Sequence, residues 1–189
     1  MSRKILAFYS PYPRAGKSTA ANCAFWNRPP KSRLSFADPL YEISVGISCY
    51  CLRQKYGIYV QDYKDNPLPE LGGASIRDFL IGFGNKGREI YPNIWSEYLR
   101  GRLHYPEYKD DNIVIDDLRF PNEYAMLREE GAKIVRITNP GREIVPSETE
   151  ALLEGYEFDA ELINDKRDLA SYEAQLDKLV AALWPSDTK

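Results

Sequence analysis

The chain has 189 residues, 43% hydrophobic and 28% charged, and its 25 basic and 28 acidic side chains leave a formal charge of -3. That length suits one soluble domain with a sizeable core, and the acidic balance excludes a general attraction to a nucleic-acid backbone. Three cysteines, Cys23, Cys49 and Cys51, without Cys-x-x-Cys spacing, and a single histidine, His104, argue against a zinc site, a disulfide framework or a histidine-dependent hydrolase.

The charged start Met1-Ser2-Arg3-Lys4 is followed by an apolar run of five residues, Ile5 to Tyr9. The run is too short for a signal or membrane segment, so a cytoplasmic protein with no membrane partner is expected. It reads instead as a strand, entering Arg14-Ala15-Gly16-Lys17-Ser18-Thr19 and then an Ala-rich helix over residues 18–26 that Arg28-Pro29-Pro30 would stop.

Strand, tight turn, Gly-Lys-Ser and helix form a phosphate cradle. Successive N–H groups point at one anion, the Lys17 ammonium reaches the outer phosphates, and the Ser18 hydroxyl can ligate Mg²⁺. The full pattern G-x-x-x-x-G-K-[ST] asks for glycine where this chain has Pro11, with Pro13 two residues on. A proline has no N–H to offer, so position 11 can shape the turn but cannot donate to a phosphate. Arg14 to Thr19 keep every donor they need, which implies that the chain handles a nucleoside triphosphate.

Arg33 to Ala37 is a short second strand. Asp38-Pro39 then opens a helix over residues 39–55, with Asp38 at the cap and Pro39 at the first helical position. Val60 to Gly73, rich in Asp, Pro, Lys and Gly, suggests an exposed excursion. Ser75 to Gly82 and Ile94 to Leu103 read as helices, with Gly84 to Arg88 unassigned. His104 falls in a surface loop.

Asn112 to Ile115 is β-branched and continuously apolar, as a strand buried on both faces should be, and it ends in Asp116-Asp117. A helix over residues 121–130, a strand from Lys133 to Thr138, a polar loop from Asn139 to about Glu154, and a strand from Phe158 to Ile163 follow. An amphipathic helix over residues 168–183 closes the chain, with Leu169, Tyr172, Leu176, Leu179 and Val180 on one face. Strands alternating with helices imply a parallel, doubly wound α/β sheet whose ligands bind beyond the carboxyl ends of the strands.

An acidic residue at the end of an apolar strand is the usual complement of a phosphate loop, where it holds Mg²⁺ beside the loop serine. Asp116 and Asp117 both qualify, one for the metal and the other to orient a substrate group. Asp117-Leu118-Arg119-Phe120-Pro121-Asn122-Glu123 sets a cation, an amide and a carboxylate at a strand-to-helix junction, where ligand contact by Arg119 and plain capping are equally good readings.

Ser35-Phe36-Ala37-Asp38-Pro39-Leu40, Asp117 to Glu123, Ser147-Glu148-Thr149-Glu150, Phe158-Asp159-Ala160 and Ile163-Asn164-Asp165 together resemble the deoxynucleoside monophosphate kinases of bacteriophages and their relatives. The resemblance runs in order from about Ile5 to Val180, and Asp117 to Glu123 is its most specific piece. It implies a P-loop NTPase three-layer fold, a parallel sheet flanked by helices with a helical acceptor-binding insertion and a lid. The core would comprise residues 1–37, 110–138 and 156–189, the insertion about 38–109 and the lid about 139–155. The implied reaction moves the γ-phosphoryl of ATP to a deoxynucleoside monophosphate with Mg²⁺.

Such a transfer needs positioning and charge neutralisation, and guanidinium groups bind phosphate through two parallel hydrogen bonds. Of Arg14, Arg77, Arg88, Arg119, Arg136 and Arg142, we assign Arg77 and Arg88 to the acceptor phosphate, Arg119 next, and Arg142 to the donor phosphates from the lid. Lys17, Arg119 and Asp117 form the expected catalytic group. Asp38 would recognise the acceptor sugar or base, and Trp95 or Tyr91 would stack on the base. The partners expected are small nucleotides rather than a nucleic-acid polymer. The resemblance allows a homodimer, which no exposed apolar stripe demonstrates. Another small hydroxyl acceptor, or a nucleotide switch that transfers nothing, are the alternatives.

Overall fold

A computed structural model describes residues 3–25, 31–48, 65–140, 151–165 and 168–185. The chain divides into two compact units, one of residues 1–35 with 99–189 and one of residues 36–98.

The first unit is built on five parallel strands in the order β2-β3-β1-β4-β5. These are β1 (Ile5–Tyr9), β2 (Lys31–Arg33), β3 (Asn112–Ile115), β4 (Lys133–Thr138) and β5 (Ala160–Ile163). Every residue of β1 is buried, as befits a central strand covered on both faces. Leu6 pairs with Val114 on one side and Lys133 on the other, so β1 sits between the two strands with the next strongest apolar runs.

One face of the sheet offers Leu6, Phe8, Val114, Val135, Ile137 and Leu162 to Ala20, Ala21 and Ala24 and to Tyr172, Leu176 and Val180. The alanines belong to α1 (Lys17–Cys23) and its end, where their small side chains let the helix lie close to the strands; the other three lie on α6 (Leu169–Leu183). Asp168 caps α6 by accepting from Ser171 N–H at 2.7 Å. The alternate strand residues Ala7, Tyr9, Ile113, Ile115 and Ile134 point to the opposite face and are buried as well.

Several elements differ from the sequence expectation, β5 among them, which begins at Ala160 rather than Phe158. β2 is the polar triplet Lys31–Arg33 rather than Arg33 to Ala37, because an edge strand needs only one partner and no apolar run. The pairing carries on as far as Leu34, whose N–H donates to Val114. Leu169 is 57% exposed, so the buried face of α6 starts at Tyr172.

In the second unit, α2 (Asp38–Ser48) begins one residue earlier than expected. Ala37 accepts the first helical hydrogen bonds from Leu40 and Tyr41, which makes Asp38 a first-turn residue and leaves the capping position to Ala37. Residues 49–55 lie outside the described residues. After a 3₁₀ turn at Pro69–Leu71, α3 runs unbroken over Ile76–Ile90, through the stretch that sequence left unassigned. Ser75 caps it reciprocally with Asp78: Asp78 N–H donates to the hydroxyl at 3.1 Å, and Ser75 N–H to the carboxylate at 2.9 Å.

Glycines weaken a helix by about 1 kcal/mol each, which is why the sequence alone does not assign this stretch. Close packing offsets that cost at two of them. A Cβ on Gly87 would lie 2.5 Å from the Trp95 ring, and one on Gly84 would lie 3.2 Å from Leu40. Trp95 belongs to α4 (Ile94–Leu103), and its indole N–H donates to Gly84 O at 3.0 Å. Leu99 and Leu103, further along α4, are fully buried and belong to the first unit. The remaining helix, α5 (Pro121–Glu129), joins β3 to β4. Among the described residues no helix is long and apolar enough to cross a membrane.

Cys23 is half-buried and donates to Glu173 at 3.3 Å. Burial and that carboxylate push its thiol up to about 11, as suits an inert structural cysteine. Cys49 and Cys51 lie outside the described residues. His104 pairs with Glu130 at 3.1 Å on the surface.

Candidate functional site

Four strands of the first unit deliver polar groups at their carboxyl ends. Beyond β1, Ser10 and buried Pro11 begin the loop. Tyr12 N–H turns back to the Ser10 hydroxyl at 3.2 Å, so the donor that follows the proline is used inside the loop. Arg14 is exposed with a φ of 57°, a left-handed conformation that costs a non-glycine residue about 1 kcal/mol. Gly16, at φ 99°, makes the last turn before α1. Ala15 is buried, Lys17 is half-buried, and Ser18 and Thr19 are exposed. The Lys17 ammonium folds back over the loop to the Ser10 carbonyl, 3.4 Å away.

The decisive contact crosses 98 residues of sequence: Ser18 Oγ donates to Asp116 Oδ2 at 2.8 Å. β3 runs beside β1, so its end necessarily meets the start of α1. Of the two candidate aspartates, Asp116 faces the loop serine. Asp117 turns the other way and accepts from the Ser35 hydroxyl at 2.5 Å. That bond ties the end of β3 to the residue after Leu34 on the neighbouring strand path.

The Asp116 side chain is only 5% exposed, and a buried carboxylate needs compensation. Arg33 supplies it as a fork, Nε to Oδ1 at 3.0 Å and a terminal nitrogen to Oδ2 at 2.5 Å. The sequence reading missed Arg33, since its partner lies 83 residues away and nothing local marks it. The chemistry of the donor set fits Mg²⁺, which favours one or two hard protein oxygens with phosphate and water completing its shell. Among the described residues there is no cluster of three or more His, Cys, Asp or Glu, so an all-protein metal cage is not built here.

The junction from Asp117 to Glu123 owes its form to Glu123, which is 2% exposed. Its carboxylate accepts the backbone N–H groups of Arg119 and Phe120, each at 3.0 Å, and so caps α5 ahead of Pro121. The glutamate of the motif is therefore a backbone brace. It leaves Arg119 exposed at the carboxyl edge of the sheet. Arg136, on β4, reaches Glu154 at 3.5 Å.

In the second unit, Asp38 is half-buried in the first turn of α2. Arg77 and Arg88 lie on the same side of α3, but three turns separate them, about 16 Å along the axis. Arg77 pairs with Asp65, both at least half exposed. Arg88 is half-buried, with its guanidinium beside Gly84. One phosphate therefore cannot be shared between these two side chains without long reach from both. Trp95, expected to stack on the base, is 5% exposed and packed on Gly87 in the core of its unit. Tyr91 is 48% exposed.

Arg142 and the Ser147 to Glu150 stretch lie outside the described residues.

No protein-family model matches the chain. A protein of Acanthamoeba polyphaga mimivirus named "Putative deoxynucleotide monophosphate kinase" is 30% identical over 171 residues, covering 80% of this chain and 84% of that protein. Among solved structures, the dephospho-CoA kinase from Campylobacter jejuni is similar over 97% of this chain and 98% of its own, with a TM-score of 0.50 and 12% identity. At that identity the likeness concerns architecture alone: a five-stranded parallel sheet flanked by helices.

Proposed function

The chain belongs to the deoxynucleotide monophosphate kinase family and is an ATP-dependent phosphotransferase; on that premise we propose that it moves the γ-phosphoryl group of ATP to a deoxynucleoside monophosphate, giving the diphosphate and ADP. The observation that carries the reading is the Ser18–Asp116 pair at 2.8 Å, which sets a loop hydroxyl and a strand-end carboxylate side by side next to Lys17.

Phosphoryl transfer asks little covalent work of the protein and much positioning. The N–H groups of residues 15–19 and the Lys17 ammonium hold the donor phosphates. Ser18 and Asp116 would hold Mg²⁺, which when bound supplies charge neutralisation on the phosphate oxygens. Arg33 orients the Asp116 carboxylate through its two hydrogen bonds. Asp117, oriented by Ser35, and exposed Arg119 are the residues proposed to meet the transferring group or the acceptor. Arg77, which pairs with Asp65, and Arg88, half-buried beside Gly84, remain the residues proposed for the acceptor phosphate. Asp38 remains the group proposed for the acceptor sugar or base, and Arg142 for the donor phosphates.

The test is to incubate the protein with Mg²⁺ and ATP together with each common ribo- and deoxynucleoside monophosphate and to quantify diphosphate. Diphosphate from one or more deoxynucleotides is expected. ATP binding with no diphosphate from any acceptor overturns the reading.

A further inference from the structure

The loop that holds the donor phosphates is itself held from the far end of the chain. Asn164 is the first residue after β5, and its N–H donates to Thr138 O at 2.8 Å, which fixes it to β4. Its side-chain amide donates to Ala15 O at 2.8 Å. Tyr172, in the first turns of α6 and 6% exposed, donates its hydroxyl to Gly16 O at 3.3 Å. The same Gly16 carbonyl accepts Ala20 N–H at 2.9 Å.

Each contact falls on a carbonyl whose peptide partner is a phosphate donor. In a planar trans peptide the C=O and the following N–H point in opposite directions. Holding Ala15 O toward Asn164 therefore aims the Gly16 N–H the other way, and holding Gly16 O aims the Lys17 N–H. The fit is close: a Cβ on Gly16 would lie 2.6 Å from the Asn164 amide nitrogen and 3.3 Å from the Tyr172 hydroxyl. Glycine is thus required here by its positive φ and by these two side chains together. Burial raises the Tyr172 hydroxyl well above its ordinary value, so it remains a donor.

We propose that Asn164 and Tyr172 are positioning residues of the donor site, setting the direction of the Gly16 and Lys17 N–H groups by gripping the carbonyls behind them. This rests on the reading of Arg14 to Thr19 as the donor phosphate loop. It also explains how the chain does without a glycine at position 11. Pro11 stiffens the near side of the loop, while β5 and α6 fix the far side.

The test compares wild type, Asn164→Ala and Tyr172→Phe by calorimetric titration with ATP and with inorganic tripolyphosphate, alongside steady-state kinetics and melting temperatures. A net hydrogen bond of ordinary strength corresponds to roughly tenfold. Asn164→Ala is expected to weaken ATP and tripolyphosphate by about tenfold, raising KM for ATP and leaving KM for the monophosphate unchanged. Tyr172→Phe, which keeps the ring and leaves Gly16 O its bond from Ala20, is expected to lose about threefold or less. Unaltered tripolyphosphate affinity in both variants overturns the inference, as does an equal rise in both KM values with a lowered melting temperature. Wild type that binds neither ATP nor tripolyphosphate overturns the donor-loop reading beneath it.

Discussion

The two units differ in how firmly the charged groups proposed for the site are held. In the first, the carboxylates near the strand ends are pinned: Asp116 by Arg33 and Ser18, Asp117 by Ser35, Glu123 by two backbone N–H groups, and Asp159 by Ile134 N–H and Lys133. In the second, Arg77, one of the two arginines expected to bind the acceptor, pairs with Asp65, itself more than half exposed, and α3 turns Ile81, Phe83 and Ile90 to solvent. A group that must stabilise developing charge gains from being fixed beforehand, because no reorganisation is left to do during the reaction. A group that selects an acceptor can adjust as the acceptor arrives. On the function proposed above, the first unit would carry the chemistry and the helical unit the choice of acceptor.

The largest effect that can break this division is Lys17→Ala. Loss of one charged phosphate contact at the pinned site should lower transfer by about 10²–10³-fold while the melting temperature stays near wild type. Turnover within tenfold of wild type would remove the donor role from the loop.

Asp159→Asn probes how much pinning contributes to stability. Burial pushes the Asp159 carboxyl up, but Ile134 N–H, Lys133 and Arg128 outweigh it and hold it below its ordinary value. A carboxyl depressed in the folded protein contributes stability above its unfolded-state value and loses it as the pH falls through the folded one. Urea midpoints should therefore place the variant about 2 kcal/mol below wild type at pH 7. The two curves should converge as the pH drops below the ordinary carboxylate range near about 4. A gap independent of pH would mean the contacts do not act through charge.

On the second unit, Arg88→Ala should raise KM for the monophosphate about tenfold with KM for ATP unchanged, the loss expected for a charge-assisted phosphate contact. A selective loss of ATP affinity would reverse the assignment of the two halves. Smallest of all, Arg77→Ala should change stability by less than about 0.5 kcal/mol, since exposed ion pairs contribute little. A larger drop in the unfolding midpoint would show that the Asp65 pair is fixed more firmly than its exposure implies.

The residues that announced themselves in the sequence were those whose signal is local. β1, β3 and β4 are runs of buried apolar side chains, and Arg14 to Thr19 carry their chemistry in consecutive positions. What stayed hidden depends on partners far along the chain. β2 is polar because it lies at an edge. α3 looked broken because the reason for Gly84 and Gly87 is Trp95, on another helix. Arg33 and Asn164 are ordinary residues until the sheet order brings Asp116 to one and Ala15 to the other. The sequence also left Asp116 and Asp117 equivalent. Neighbouring residues leaving a strand point in opposite directions, and only the position of Ser18 tells which one serves the loop.

The grip of Asn164 and Tyr172 on the phosphate loop also sets an order of events during synthesis. β1 and its loop leave the ribosome before the side chains proposed to aim the loop, which follow 149 and 156 residues later. Leu176 and Val180, which close the core behind α1, come later still. Contacts so distant in sequence are closed last and slowly. Until β5 and α6 have docked, the Gly-Lys-Ser sequence lacks the two contacts proposed to aim its N–H groups. On that proposal ATP affinity rises to its full value with the docking of α6.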